Sequence, residues 1–262
     1  MPEGDTLHRV ADRLRPALAG KRLAGFAAPR LRGDRPRTGV EIESVEARGK
    51  NLLIEFAGGL TLRTHLRMNG SWHLYRTGER WQKPRHLARA VLETDDGWCA
   101  VCFAAPVVET FWRQAATPPA PLARLGPDLC EPEVDLDAVL ARFEGVAGPD
   151  DEIGDLLLDQ RIAAGIGNVY KSETCFACGV DPFTPAAGVP DETRRRLYAT
   201  AHRLLRANLG VGPRRTWGSG VAVYRRRGQP CPRCGTPVRM RRQGAQARST
   251  YWCPECQRGS PR

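Results

Sequence analysis

The sequence predicts an α+β protein: an N-terminal helix leading a β-sandwich or barrel, a helical second part, and a cysteine hairpin at the end. Apolar residues recur at helical spacing over 7–18, change to a period of two from about 40 to 112, and return to helical spacing after a proline-rich break. Four cysteines in two CxxC pairs then close the chain.

The first helix carries Leu7, Val10, Ala11, Leu14 and Leu18 on one face, with Asp5 as its expected N-cap and an end near Gly20. Strands are expected at Val40/Ile42, Asn51–Phe56 and a run from Leu60 through Leu66 to Met68, with Ala57-Gly58-Gly59 as a hairpin turn. Trp72–Tyr75, Leu87–Glu93, Trp98–Phe103 and Val107–Trp112 continue the pattern. Pro118-Pro119-Ala120-Pro121 reads as a stiff boundary. Helices are expected over Leu136–Phe143, Ile153–Arg161, Val169–Cys178 and Arg195–Leu209, with Gly165-Ile166-Gly167-Asn168 as a turn between two of them. The expected domains are 1–117 (β-sandwich), a linker 118–124, 125–220 (helical) and 221–262 (zinc finger).

At 262 residues and 41% hydrophobic content the chain can build more than one core. No apolar run approaches the roughly 18–20 residues that span a bilayer. The acidic, helical N-terminus is unlike a signal sequence, so the expectation is a soluble, cytoplasmic protein with no membrane partner. The net charge of +11 favours a polyanionic partner, most simply nucleic acid. Only four lysines (Lys21, Lys50, Lys83, Lys171) stand among the 40 basic residues, a skew that suggests a GC-rich genome. The net excess of positive charge is not explained by that skew.

Cys231-Pro-Arg-Cys234 and Cys253-Pro-Glu-Cys256, 18 residues apart, have the spacing of a tetrahedral Cys₄ zinc ribbon. All four positions are thiols, so no coordination site is left open and the expected role is structural. Cys99 and Cys102 fall i, i+3 on a strand and face opposite sides, and Cys175 and Cys178 share an apolar helix face. Packing is expected for both pairs.

The chain opens Met1-Pro2-Glu3-Gly4-Asp5-Thr6. With Met1 removed, Pro2 presents a terminal secondary amine that can attack an electrophilic carbon and form an iminium. Such amines have a reference pKa of about 7.7–8.0, so a useful fraction is neutral near pH 7. Glu3 places a potential general acid beside it. A plain acidic helix start explains these residues equally well on their own. Likewise, Gly165–Asn168 can hold a phosphate on backbone N–H groups or simply link two helices. Lys50 is by default a solvated strand-end cation.

The decisive pattern is their combination. Pro2-Glu3-Gly4, Arg48-Gly49-Lys50-Asn51-Leu52-Leu53, His65-Leu66-Arg67-Met68-Asn69-Gly70-Ser71, Leu125-Gly126-Pro127-Asp128, Leu158-Asp159-Gln160-Arg161 through Tyr170, and the cysteine tail occur in one order over almost the whole chain. Together they resemble the formamidopyrimidine-DNA glycosylase/endonuclease VIII family of base-excision repair enzymes. The resemblance implies a bacterial, nucleoid-associated monomer acting on double-stranded DNA with damaged bases or abasic sites, and one structural Zn²⁺ held by Cys231, Cys234, Cys253 and Cys256. It implies Pro2 as the nucleophile at C1′, Glu3 as the acid that protonates the sugar ring oxygen, and Lys50 as a catalytic, phosphate-binding lysine. It implies further DNA contacts from His65, Asn168 and Arg248, and an apolar wedge at Met68 for the gap left by the flipped nucleotide. Glu173 matches an acidic residue of the helical segment.

Gly4 and the short stretch Val211–Val221 tilt the resemblance toward endonuclease VIII, with Asp5 departing from both branches. The function this implies is a bifunctional glycosylase and AP lyase that removes oxidised bases, pyrimidines foremost, and nicks by β,δ-elimination. The alternatives are an 8-oxoguanine/formamidopyrimidine glycosylase and, from another class, a non-catalytic damaged-DNA-binding protein. A zinc-ribbon adaptor for proteins would leave the basic charge unexplained.

Overall fold

The computed structural model describes residues 2–114 and 119–258, so Met1, residues 115–118 where the expected first domain meets the linker, and the last four residues lie outside the described residues. The chain divides into two compact units, Met1–Ala123 and Arg124–Arg262. The second holds both the helical segment and the cysteine tail.

In the first unit, α1 (Gly4–Leu18) buries Leu7, Ala11, Leu14 and Leu18 in the sandwich core. The N-cap is Glu3 rather than the expected Asp5. Asp5 sits instead in the buried first turn, where a carboxylate suits the positive end of the helix. The helix stops at Leu18, and Gly20 reverses the chain at φ +75°.

Eight strands follow: β1 (Leu23–Ala27), β2 (Ile42–Arg48), β3 (Asn51–Phe56), β4 (Leu60–His65), β5 (Ser71–Arg76), β6 (Ala88–Thr94), β7 (Trp98–Phe103) and β8 (Val107–Trp112). They form two antiparallel four-stranded sheets, β2-β3-β4-β8 and β1-β6-β7-β5. β1 went unread because its register slips between Leu23 and Gly25, which blurs the alternation. Leu52, Ile54, Leu62, Trp72 and Leu92 belong to the shared core, and Cys102 joins them. Cys99 belongs to a separate cluster with Tyr75, Val101 and Phe103, so the two cysteines do face opposite sides. β4 departs from strict alternation. Thr61 and Arg63 are buried as well as Leu60 and Leu62, because β4 is central, between β3 and β8. It also ends at His65; the expected continuation through Leu66 and Met68 is a turn. A single helical turn, α2 (Ala120–Ala123), closes the unit.

The second unit contains α3 (Leu136–Val146), α4 (Ile153–Leu156), α5 (Asn168–Cys178) and α6 (Asp191–Arg206), with a core that includes Ile162, Ile166, Tyr170, Leu197 and Leu205. Asp135 caps α3 by accepting from the Ala138 amide at 2.9 Å. The helix expected over 153–161 stops at Leu156, since Asp159 and Gln160 turn their side chains onto nearby backbone. α5 ends on Gly179 in the left-handed region. Its Cys175 lies in the helical core and Cys178 packs against it; burial pushes both thiols up. The tail forms the hairpin β9 (Arg239–Gln243) and β10 (Arg248–Trp252), which packs on α5. No helix among the described residues is long and apolar enough to cross a membrane.

Candidate active site and nucleic-acid contacts

Pro2 is half-buried and directly precedes the N-cap of α1. The Glu3 carbonyl accepts from the amides of Thr6 at 3.0 Å and Leu7 at 3.2 Å, so the first helical turn fixes the chain end. The Glu3 side chain is fully buried. A chain end fixed in this way can present an amine and a carboxyl group together.

Lys50 stands in the two-residue β2–β3 hairpin, where Gly49 takes φ +57° at the first central position. Asn51 closes the turn by donating Nδ2 to the Arg48 carbonyl at 3.1 Å. Its Oδ1 accepts from Arg63 Nε at 2.9 Å, and Arg63 is ion-paired with Glu109. Residue type alone revealed neither this brace nor the burial of Arg63.

His65 lies opposite Asn51 across β3–β4. Burial foremost, then the charges of Arg63, Lys50 and Arg67, lower its pKa to about 4. A neutral ring follows, and Nδ1 accepts the Arg67 amide at 3.2 Å. That bond sits under a tight turn in which Arg67 adopts φ +46° and the Gly70 amide donates to the Leu66 carbonyl at 2.9 Å. A Cβ on Gly70 would fall 2.6 Å from the same carbonyl oxygen, so only glycine fits. Met68, at the tip, is 57% exposed, which excludes a core role. The sheet therefore brings Lys50, His65 and the Met68 turn to one end of β3 and β4.

In the second unit, Gln160 shapes the glycine turn. Its Oε1 accepts from the Gly165 amide at 3.1 Å, and its Nε2 donates to the carbonyls of Leu158 and Ile166. Gly126 passes so close to Ile162 that a Cβ would lie 2.2 Å from its carbonyl oxygen. These contacts account for the Leu125–Asp128 and Leu158–Arg161 stretches as scaffolding. Asn168 begins α5 and is buried; its Nδ2 donates to the Ser249 carbonyl at 2.6 Å, while Oδ1 accepts no hydrogen bond among the described residues. Arg248, the residue before Ser249, opens β10, and its guanidinium donates to Gln246 Oε1 at 2.7 Å. Asn168 and the Arg248 strand end are thus brought together.

Glu173 has a definite job. Its buried carboxylate accepts the amides of Ala222 (2.7 Å), Val223 (2.9 Å) and Tyr224 (2.8 Å) and the Thr216 hydroxyl. It anchors the segment that leads into the cysteine tail. Asn208 does the same for the preceding loop, exchanging hydrogen bonds with the Arg215 amide at 2.7 Å and carbonyl at 2.8 Å. The sequence signal for both was weak, since a Glu in a helix or an Asn just past one is ordinarily a surface residue.

The four tail cysteines place their sulfurs within 4.8 Å of one another, with Cys231–Cys256 at 3.8 Å and Cys234–Cys253 at 3.4 Å. Tetrahedral zinc with Zn–S near 2.3 Å requires sulfurs about 3.8 Å apart, so the set fits one structural zinc ion. Apolar support comes from Phe176, Val223 and Val238.

Residues 1–104 match the formamidopyrimidine-DNA glycosylase N-terminal domain, 125–216 its H2TH domain, and 228–259 the zinc finger found in FPG and IleRS. The chain is 44% identical over 267 residues to a probable endonuclease 8 2 of Streptomyces coelicolor, an alignment that covers 99% of this chain and 95% of that protein. The chain belongs to the formamidopyrimidine-DNA glycosylase/endonuclease VIII family. Another relative within this family, the DNA-(apurinic or apyrimidinic site) lyase Nei2 of Mycolicibacterium smegmatis, is 38% identical over 99% of this chain and all of its own. Among solved structures, the MutM (Fpg) protein of Thermus thermophilus superposes with a TM-score of 0.80 at 29% identity, covering 99% of this chain and 100% of that one. The Lactococcus lactis Fpg crystallised with DNA containing an oxidised pyrimidine shares the fold at 22% identity and TM-score 0.80, covering 98% and 100% of the two chains. The expected family and mixed fold are therefore found, and the four cysteines fit the expected structural zinc.

Proposed function

We propose that the protein is a bifunctional DNA glycosylase and AP lyase of base-excision repair, acting as a monomer on oxidised bases, pyrimidines foremost, and on abasic sites. The observation that carries this reading is the Pro2–Glu3 end fixed at the start of α1 in a chain of this family. The unprotonated Pro2 amine attacks C1′ of the damaged nucleotide as the base departs with its bonding electron pair. The positive end of α1 works against a cation at the amine and so favours the nucleophilic form. The departing base takes up the amine proton, Glu3 delivers a proton to the ring oxygen as the C1′–O4′ bond breaks, and nitrogen and C1′ become joined as an iminium. The iminium acidifies the 2′ proton; its loss expels the 3′ phosphate, a second elimination expels the 5′ phosphate, and water releases Pro2. Lys50 binds phosphate and assists these steps.

Met68 fills the gap left by nucleotide extrusion, which costs a few kcal/mol of lost stacking and pairing. Asn168 and Arg248 grip the backbone, and His65, neutral at working pH, adds a hydrogen bond rather than a charge. Under this reading, residues 1–117 form the catalytic domain, 125–220 the DNA-binding helical domain and 221–262 the zinc finger. A DNA substrate in a bacterial cell places the protein in the cytoplasm, at the nucleoid.

The test is incubation with duplexes carrying thymine glycol, 8-oxoguanine or an abasic site, followed by strand-cleavage analysis and borohydride reduction. Cleavage and a covalent complex on thymine glycol and abasic DNA are expected, with weaker action on 8-oxoguanine. Binding without cleavage on every duplex would leave the non-catalytic reading standing.

A further inference from the structure

α5 presents three side chains to β10, and each holds a consecutive residue of that strand. Asn168 takes the Ser249 carbonyl, Lys171 Nζ donates to Thr250 Oγ1, and Ser172 Oγ accepts from the Tyr251 amide at 3.4 Å. The middle member is unusual. Lys171, one of only four lysines in the chain, is completely buried, and its acceptors are the neutral oxygens Thr250 Oγ1 and Gln243 Oε1 (3.2 Å). The network extends outward from there: Thr250 Oγ1 donates to Gln243 Oε1 at 2.6 Å, and Gln243 Nε2 donates to Glu152 Oε2 and the Pro182 carbonyl, both at 2.8 Å.

Burying an ammonium on neutral acceptors costs free energy that a hydrocarbon side chain would not. Burial lowers its pKa to about 8, with the carboxylates of Asp155 and Glu152 opposing that shift and Arg248 adding repulsion. What the ammonium supplies and a hydrocarbon does not is a fixed donor at the middle of the α5–β10 contact. It engages both strands of the hairpin at once, Thr250 on β10 and Gln243 on β9. Thr250 lies two residues from Arg248, and Gln243 is the cross-strand partner of Arg248. The grip therefore falls at the end of the hairpin that carries the DNA-contacting arginine.

We propose that Lys171 is a positioning residue for the DNA-backbone contact: it locks the hairpin against α5 so that Arg248 and Asn168 act as one phosphate-binding unit. This rests on the assignment of Asn168 and Arg248 made above. The experiment is a fluorescence-anisotropy titration of a duplex carrying a tetrahydrofuran abasic analogue, repeated between 50 and 200 mM salt, with zinc content and Tm measured for every variant. Losing one phosphate contact flattens the log K against log salt slope by about 0.9. Arg248→Ala shows that loss and a roughly tenfold weaker affinity. Lys171→Met shows the same flattening, the double variant Lys171→Met/Arg248→Ala shows it once and not twice, and Lys171→Arg restores the wild-type slope.

A merely structural role would lower Tm and leave the slope intact. A wild-type slope in Lys171→Met beside a flattened one in Arg248→Ala therefore overturns the proposal, as does a double variant that loses two contacts. An unchanged slope in Arg248→Ala removes the assignment of Arg248 itself and the proposal with it. Should Lys171→Met fail to retain zinc, Thr250→Val cuts the link from Lys171 to β10 while keeping the lysine and its bond to Gln243. It is expected to flatten the slope equally, and a wild-type slope there overturns the proposal.

Discussion

In the first unit the residues expected to meet DNA stand on the ends of an apolar sandwich. Lys50 and Met68 occupy turns whose strands are held by Leu52, Ile54 and Leu62, with one polar brace through Asn51 and Arg63. In the second unit the corresponding residues are held mainly by polar contacts and a metal site. Asn168 and Arg248 depend on the Ser249 bond, the buried Lys171 network, the Glu173 anchor and four cysteines. The contrast suits two tasks. Bond-making at C1′ needs a rigid frame that holds the reacting groups in place, whereas gripping a phosphate backbone needs donors whose positions are fixed.

The largest effect that would sharpen this contrast is metal removal. Structural zinc in finger peptides contributes apparent folding energy of about 10–16 kcal/mol. A strong chelator, or Cys253→Ala, is expected to melt the hairpin and abolish DNA binding while leaving the β-sheet circular-dichroism signal of the first unit. Loss of that sheet signal together with the zinc would break the contrast. Next in size is Glu173→Ala. It strips the acceptor from three backbone amides and is expected to destabilise the protein by roughly 3 kcal/mol, read from urea unfolding, with Glu173→Gln costing less. Asn51→Ala frees the Arg48 carbonyl and leaves Arg63 Nε without its acceptor, an expected loss of about 1–2 kcal/mol. Because it loosens the Lys50 turn, it should lower kcat more than it raises KM, whereas Arg248→Ala should do the reverse.

The smallest effect concerns His65. Its folded pKa of about 4 lies below the unfolded value near 6.5, so the unfolded chain takes up the proton first as pH falls. Its contribution to stability is whole above pH 6.5, declines as pH falls toward 4, and levels off below. His65→Leu is expected to flatten that segment of a Tm–pH curve; an unchanged curve would mean that the ring titrates alike in the folded and unfolded chains.

What the sequence revealed follows the same division. Period-two alternation located seven of the first unit's eight strands because an apolar sandwich writes itself into residue polarity, and β1 escaped through its register slip. The cysteine spacing disclosed the zinc site for an equally local reason. Buried polar groups left no such trace. Arg63, Lys171 and Glu173 look like surface residues in the sequence, because what makes burial tolerable is a partner far along the chain, such as Glu109, Thr250 or the 222–224 amides. The early end of the helix that begins at Ile153 was hidden likewise, in the side-chain turns of Asp159 and Gln160.

The central claim is that the amine of Pro2, presented by the first turn of α1, is the nucleophile. It is tested most directly by reducing the enzyme–abasic-DNA complex with borohydride, digesting it, and locating the deoxyribose remnant by tandem mass spectrometry. The account predicts the remnant on the N-terminal peptide beginning at Pro2, with Met1 absent. A remnant on Lys50 or any other lysine, or on a chain that retains Met1, would contradict it.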